Sequence, residues 1–179
     1  YKKNSQLNGR YSFDNFIEGK GNQFAKAAAV SVSEMPGQSP FNPLLIYSSP
    51  GLGKTHLLQA IGNMVQDKNP NLRLIYITAE RFMYDFINSI QKNKSSEFSK
   101  RYRNVDMLLV DDAQFFSKKE QTQEQFFHLF NSLYQNGKQI ILTTDKHPNK
   151  MEGFTERLIS RFQSGLVIDI QPPDLETRI

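Results

Sequence analysis

The chain has 179 residues, long enough to bury a substantial core in one domain, and its 38% hydrophobic and 22% charged content excludes neither a globular fold nor ordinary solubility. Its longest apolar runs fall far short of the roughly 20 residues that span a bilayer, and zero cysteines exclude disulfides and thiolate metal sites, which fits a reducing, cytoplasmic setting. A formal net charge of +4 permits a nucleic-acid partner without demanding one.

The chain begins at Tyr1 rather than Met and without a signal-peptide pattern, which reads as a piece of a longer protein. Residues 1–10 are polar and aperiodic, so they read as a linker. Phe13, Phe16 and Ile17 form an apolar cluster before Gly19 and Gly21, and Asn22 is placed to cap a helix that stops at Met35-Pro36-Gly37. A proline-marked loop leads to a first strand, Leu44 to Tyr47. After Ser48-Ser49-Pro50-Gly51-Leu52-Gly53-Lys54-Thr55, the residues Leu57, Leu58, Ile61 and Val65 repeat at helical spacing as far as Asn69-Pro70. Leu74 to Thr78 reads as a second strand. Phe82, Met83, Phe86, Ile87 and Ile90 mark an amphipathic helix whose continuation from Gln91 to Arg103 is basic, anchored by Phe98 and Tyr102 alone. Met107 to Val110 is a third strand, and the helix through Phe126, Phe130 and Tyr134 closes at Asn136-Gly137. Gln139 to Thr144 is a fourth strand, Glu156 to Phe162 a short helix and Leu166 to Ile170 a fifth strand. Pro172-Pro173 ends it, and Asp174 is placed to cap a helix that would run past Ile179. Strands alternating with helices, several of them apolar throughout, predict an α/β fold: a parallel sheet with helices on both faces, whose ligands sit at the carboxyl ends of the strands.

Strand, glycine loop, then helix is the context in which a P-loop works. Backbone N–H groups converge on phosphates, and the helix N-terminus adds its dipole. Lys54 would reach the β- and γ-phosphates and the Thr55 hydroxyl would sit on Mg²⁺, with Gly51 and Gly53 allowing close approach. The strict pattern opens with glycine, where this chain has Ser48; ordinary dihedrals are expected there. The apolar strand ending in Asp111-Asp112 has the form of the second phosphate-site element, with Asp111 serving the metal through water and Asp112 the attacking water. At the fourth strand's tip, Asp145 is either a reporter of the γ-phosphate or the start of a turn before Pro148. Arg157 and Arg161 lie one turn apart; an arginine finger and a surface pairing with Glu156 or Asp169 both fit. The basic stretch Lys92 to Arg103 reads as a single-strand-binding patch or as a solvated helix face.

These motifs resemble those of the AAA+ domain of the bacterial chromosomal replication initiator (DnaA) family over nearly the whole chain. Tyr11-Ser12-Phe13-Asp14-Asn15-Phe16 with Gly19-Lys20-Gly21-Asn22 resembles its N-terminal box, and Gly51-Leu52-Gly53-Lys54-Thr55-His56 its Walker A. Tyr102 to Asp106 running into Asp111-Asp112-Ala113-Gln114-Phe115 resembles its Walker B region. Gln125-Phe126-Phe127-His128, Thr144-Asp145, Ser160-Arg161-Phe162 and Pro172 to Arg178 complete the series. The resemblance implies an AAA+ αβα core over residues 11–173, with a five-stranded parallel sheet and the sensor strand between those carrying Walker A and Walker B. It implies initiator-specific insertion helices at about 79–103, and a lid that begins at 174–179. ATP or ADP would lie against Pro50 to His56, with Phe16, Ile17 and Asn22 near the adenine and Mg²⁺ at Thr55 and Asp111. Asp145 would be sensor 1, and Arg161 a finger acting on a neighbour's ATP. Ile87 and Lys119 would contact single-stranded DNA. The family's double-strand-binding domain would lie outside these residues.

The resemblance thus implies a switch that binds ATP, hydrolyses it slowly, and self-associates as a filament at origin DNA alongside the replicative helicase machinery. Asp112 stands where many motor relatives carry Glu, and the shorter carboxylate suits a slow timer. The alternatives are a helicase loader or a DnaA-like regulatory paralogue, sharing the fold as adaptors, and a P-loop phosphotransferase, for which no acceptor pocket is evident.

Overall fold

The computed structural model describes residues 7–13, 23–51 and 53–171. The strands β1 (Leu44–Tyr47), β2 (Leu74–Thr78), β3 (Met107–Asp111), β4 (Gln139–Thr144) and β5 (Leu166–Asp169) form one sheet in the order β2-β3-β4-β1-β5. Every pairing is parallel. Parallel neighbours need long crossovers, and helices fill them: α1 (Gln23–Glu34) precedes β1, and α2 (Lys54–Lys68), α3 (Ala79–Gln91), α4 (Ser95–Arg103), α5 (Glu120–Gln135) and α6 (Glu156–Phe162) follow. The strand between β1 and β3 is β4, the arrangement the resemblance implies.

Side-chain alternation along the strands splits the core in two. Leu44, Ile46, Tyr76, Leu109 and Ile141 face α1 and α2, whereas Leu45, Ile77, Leu108, Val110 and Leu142 face α3 to α6. Both faces are covered, which is why β3 and β4 carry unbroken apolar runs. Strand β3 runs one residue further than expected, to Asp111, which pairs with Thr78. Strand β5 stops at Asp169, although the Ile170 N–H still donates to the Tyr47 carbonyl.

The basic stretch departs from its reading by periodicity as a continuation of the preceding helix, and has the paired helices that the resemblance implies. It is a separate helix rather than a continuation, because α3 ends in a Schellman turn. Asn93 takes φ 57°, its N–H donates to the Ile90 carbonyl, and the Lys94 N–H donates to the Ser89 carbonyl at 2.7 Å. Its apolar side is well packed: Tyr102 is fully buried and rings from α3, α4 and α5 cluster around Phe82. Residues 7–10, read as linker, include a buried Leu7 that packs where a Cβ on Gly62 would stand. The expected cap Asn22 and the segment after Gln171 lie outside the described residues. Among the described residues, no helix is long and apolar enough to cross a membrane.

Candidate functional site

The β1–α2 turn is built by glycine. Gly51 and Gly53 take φ 84° and 98°, which side chains disfavour, and open space surrounds the Cβ position of Gly51. Gly53 caps α2 without any side-chain acceptor. Ser48 is not among the residues with positive φ; its N–H continues the ladder by donating to the Thr144 carbonyl. Lys54 is 6% exposed and its Nζ donates to the Ser48 carbonyl at 3.1 Å, so the ammonium bridges the two ends of the loop.

Asp111 meets this loop from β3. Its Oδ2 accepts from Thr55 Oγ1 at 2.9 Å and from the Tyr76 hydroxyl at 2.7 Å, and its Oδ1 accepts a short hydrogen bond from Thr143. The same Thr143 oxygen accepts the Asp112 N–H at 2.8 Å. That bond holds Asp112 at φ 59°, a left-handed conformation that aspartate tolerates better than most residues. Burial, then the neighbouring charge of Asp111, raises the Asp112 carboxyl above its usual range. Gln114 and Lys54 pull the other way, and Asp145 adds to the rise. Lys54, Asp111, Asp112 and Asp145 therefore share one electrostatic environment at the carboxyl edge of the sheet.

The remaining candidates fall elsewhere. His56 Nε2 is 2.8 Å from the Ser12 carbonyl, and its ring lies 4.9 Å from that of Tyr11, so it ties the N-terminal segment to α2. Arg161 donates from Nε to Asn131 at 2.8 Å, and both it and Arg157 lie over the Phe127 ring; this is packing on α5 rather than a pairing with Glu156 or Asp169. Ile87 is exposed on α3 beside Tyr84 and Ile90, and Lys119 is exposed at the start of α5. Phe16, Ile17, Asn22 and Leu52 lie outside the described residues. Sequence reading missed Tyr76 and Gln59. No pattern in the sequence marked them: Tyr76 reads as an ordinary strand aromatic and Gln59 as an ordinary polar helix residue.

A hydroxyl and a single carboxylate oxygen, facing a lysine, suit Mg²⁺, which takes oxygen ligands and keeps several waters and substrate phosphates. Among the described residues, no three His, Asp or Glu side chains gather into a protein-only metal cage.

Comparison with known proteins follows the same line. The chain is 58% identical over its full 179 residues to the chromosomal replication initiator protein DnaA of Lacticaseibacillus casei, of which it covers 40%. It spans about two-fifths of the length of such relatives. Domain III of the Thermotoga maritima replication initiation protein DnaA superposes with a TM-score of 0.93 at 50% identity, over 96% of this chain and 71% of that one. A replication initiator DnaA bound to AMPPCP and single-stranded DNA gives a TM-score of 0.92 at 44% identity, over 97% and 53%. DnaI, at 20% identity and a TM-score of 0.76 over 91% and 92%, shares the fold. The family model for the bacterial DnaA ATPase domain matches residues 7–169, and the chain belongs to that family.

Proposed function

We propose that this chain is the nucleotide-operated core of a replication initiator: it binds ATP with Mg²⁺, hydrolyses it slowly, and in the ATP state self-associates and engages single-stranded DNA. One observation carries the reading. The first hydroxyl of the P-loop helix lies 2.9 Å from the β3 carboxylate, behind a buried lysine, so loop and acid form a single site. The similarity to a DnaA bound to AMPPCP and single-stranded DNA supports the choice of ligands. The likeness to DnaI is one of fold alone, so it lends the adaptor reading nothing.

In this reading Mg²⁺, when bound at Thr55 and Asp111, neutralises phosphate charge. Lys54 offers its ammonium to the phosphates, and the left-handed turns at Gly51 and Gly53 bring the backbone close to them. Asp112, fixed by Thr143, orients the attacking water, and Asp145 reports on the phosphate end. Arg161 serves a neighbour's site. Ile87 and Lys119 offer the apolar and cationic contacts that single strands take.

Lys54→Ala is expected to weaken ATP binding on the order of a hundredfold in calorimetric titration, and to abolish ATP-dependent retention of a labelled single-stranded oligonucleotide. Undiminished ATP affinity in this variant would overturn the reading.

A further inference from the structure

Tyr76 sits in the middle of β2, on the face covered by α1 and α2, where Leu74 beside it and Leu109 paired with it are apolar. It is only 6% exposed, and a buried hydroxyl is costly unless it is paired. The phenol donates to Asp111 Oδ2 at 2.7 Å, and the Gln59 amide of α2 is its second polar neighbour. Gln59 is itself buried, and its Oε1 accepts the Asn8 N–H at 2.6 Å. One turn further along α2, Asn63 Nδ2 donates to the carbonyls of Asn8 and Tyr11, both at 2.8 Å. A row of polar groups thus runs from the backbone of the N-terminal segment to Gln59 and Tyr76, and hydrogen bonds carry it on from Tyr76 through Asp111 to Thr143 and the Asp112 N–H.

The chain of bonds has a directional logic. Asp111 Oδ2 is shared by Thr55 and Tyr76, and only Thr55 lies on the P-loop helix. Were Thr55 to serve a metal instead, the phenol would still hold that oxygen in place. The segment is held through backbone groups of residues 8 and 11 as well as through the Leu7 and Tyr11 side chains, so the α2 amides supply the polar part of its seating.

We propose that Tyr76 is a positioning residue of the nucleotide site: its hydroxyl aims the Asp111 carboxylate, and through Gln59 it links that aim to the seating of residues 8–12 on α2. The proposal rests on the reading that Asp111 serves Mg²⁺.

The test is Tyr76→Phe, which keeps the ring and removes one oxygen. ATP affinity is measured with Mg²⁺ and with EDTA, and amide hydrogen exchange of residues 8–12 is followed with and without Mg²⁺ and ATP. In the unsubstituted protein Mg²⁺ should strengthen binding and slow exchange in the segment. Loss of an outer partner of a metal ligand typically weakens metal binding about tenfold to a hundredfold, so in Tyr76→Phe the Mg²⁺-dependent gain should fall about that much. The affinity in EDTA should hold, and the segment should stop responding. Gln59→Met leaves the phenol–carboxylate bond intact; it should keep the Mg²⁺ gain and lose only the segment's response. An unchanged Mg²⁺ gain in Tyr76→Phe, whatever its melting temperature, overturns the positioning role. A segment response that persists in both variants overturns the linkage. Absence of any Mg²⁺ gain in the unsubstituted protein would instead overturn the site reading itself.

Discussion

Asp106 and Asp111 stand at opposite ends of strand β3 and serve opposite purposes. Asp106, just before the strand, accepts the Arg73 N–H at 2.9 Å and the Lys138 ammonium at 3.0 Å. Burial alone would raise its carboxyl, but the Arg73 backbone, Lys138 and the Arg73 side chain outweigh it and hold the group below its usual range. A carboxyl depressed in the folded state stabilises the fold above its ordinary range, and that stability is lost as pH falls through the lowered value. Asp106→Asn keeps an acceptor for the Arg73 N–H and loses the charge. It should cost about 1 kcal/mol at neutral pH, since Arg73 is well exposed and the pairing is screened. In urea unfolding at a series of pH values, that cost should shrink toward zero on acidification; an equal cost at every pH would assign the whole effect to the uncharged hydrogen bond. At the other end of the strand, Asp112 is pushed up by burial and by Asp111. The carboxyl edge keeps charge under tension, and the amino edge uses it as a staple.

Among the elements, the α3–α4 pair depends most on a single residue. The Phe82 ring lies 5.3 Å from that of Phe98, 5.1 Å from Tyr102, and 5.7 Å from both Phe116 and Phe126. It joins α3, α4, the turn after β3 and α5 in one aromatic cluster. Phe82→Ala is expected to cost about 3–5 kcal/mol, because so enclosed a site collapses poorly around a cavity. Hydrogen exchange should quicken first in α4, whose own residues are mostly polar; uniform loss of protection across the sheet would contradict this. The strands were legible from sequence nearly to the residue, because burial on both faces writes them as unbroken apolar runs. The break at Asn93 was not, because the Schellman turn rests on backbone hydrogen bonds and a single residue of unusual φ inside a polar stretch. The close packing around Phe98 and Tyr102 was also hidden, since two aromatics among cations give little periodicity. At the site, Lys54, Thr55, Asp111 and Asp112 could be found by pattern. Tyr76 and Gln59 could not, because their meaning lies in what faces them across the sheet and α2.

For the whole molecule, the proposed function makes the placement of Arg161 the feature on which hydrolysis would turn. It is oriented by Asn131 and Phe127 on α5, while Lys54 and the acids cluster at the strand tips. In the proposed function its guanidinium completes a neighbour's site, so the dilute protein should hydrolyse ATP very slowly, with specific activity rising with concentration. Arg161→Ala should leave ATP affinity unchanged and remove the rise; fingers of this kind are worth roughly a thousandfold or more in rate. Brisk, concentration-independent turnover by the dilute protein would contradict a trans role.

Helix α2 opens on a glycine that offers its first amides no side-chain acceptor. A capping serine or aspartate would have stiffened the free fold, and it would also have occupied the place of an incoming anion. On the proposed reading, the folded state therefore gains most of its resilience only in company, by the mass action of whatever phosphate it holds. In a cell, the supply of nucleotide would then set how long this core withstands proteases as well as when it acts, linking its abundance to the cell's energy state.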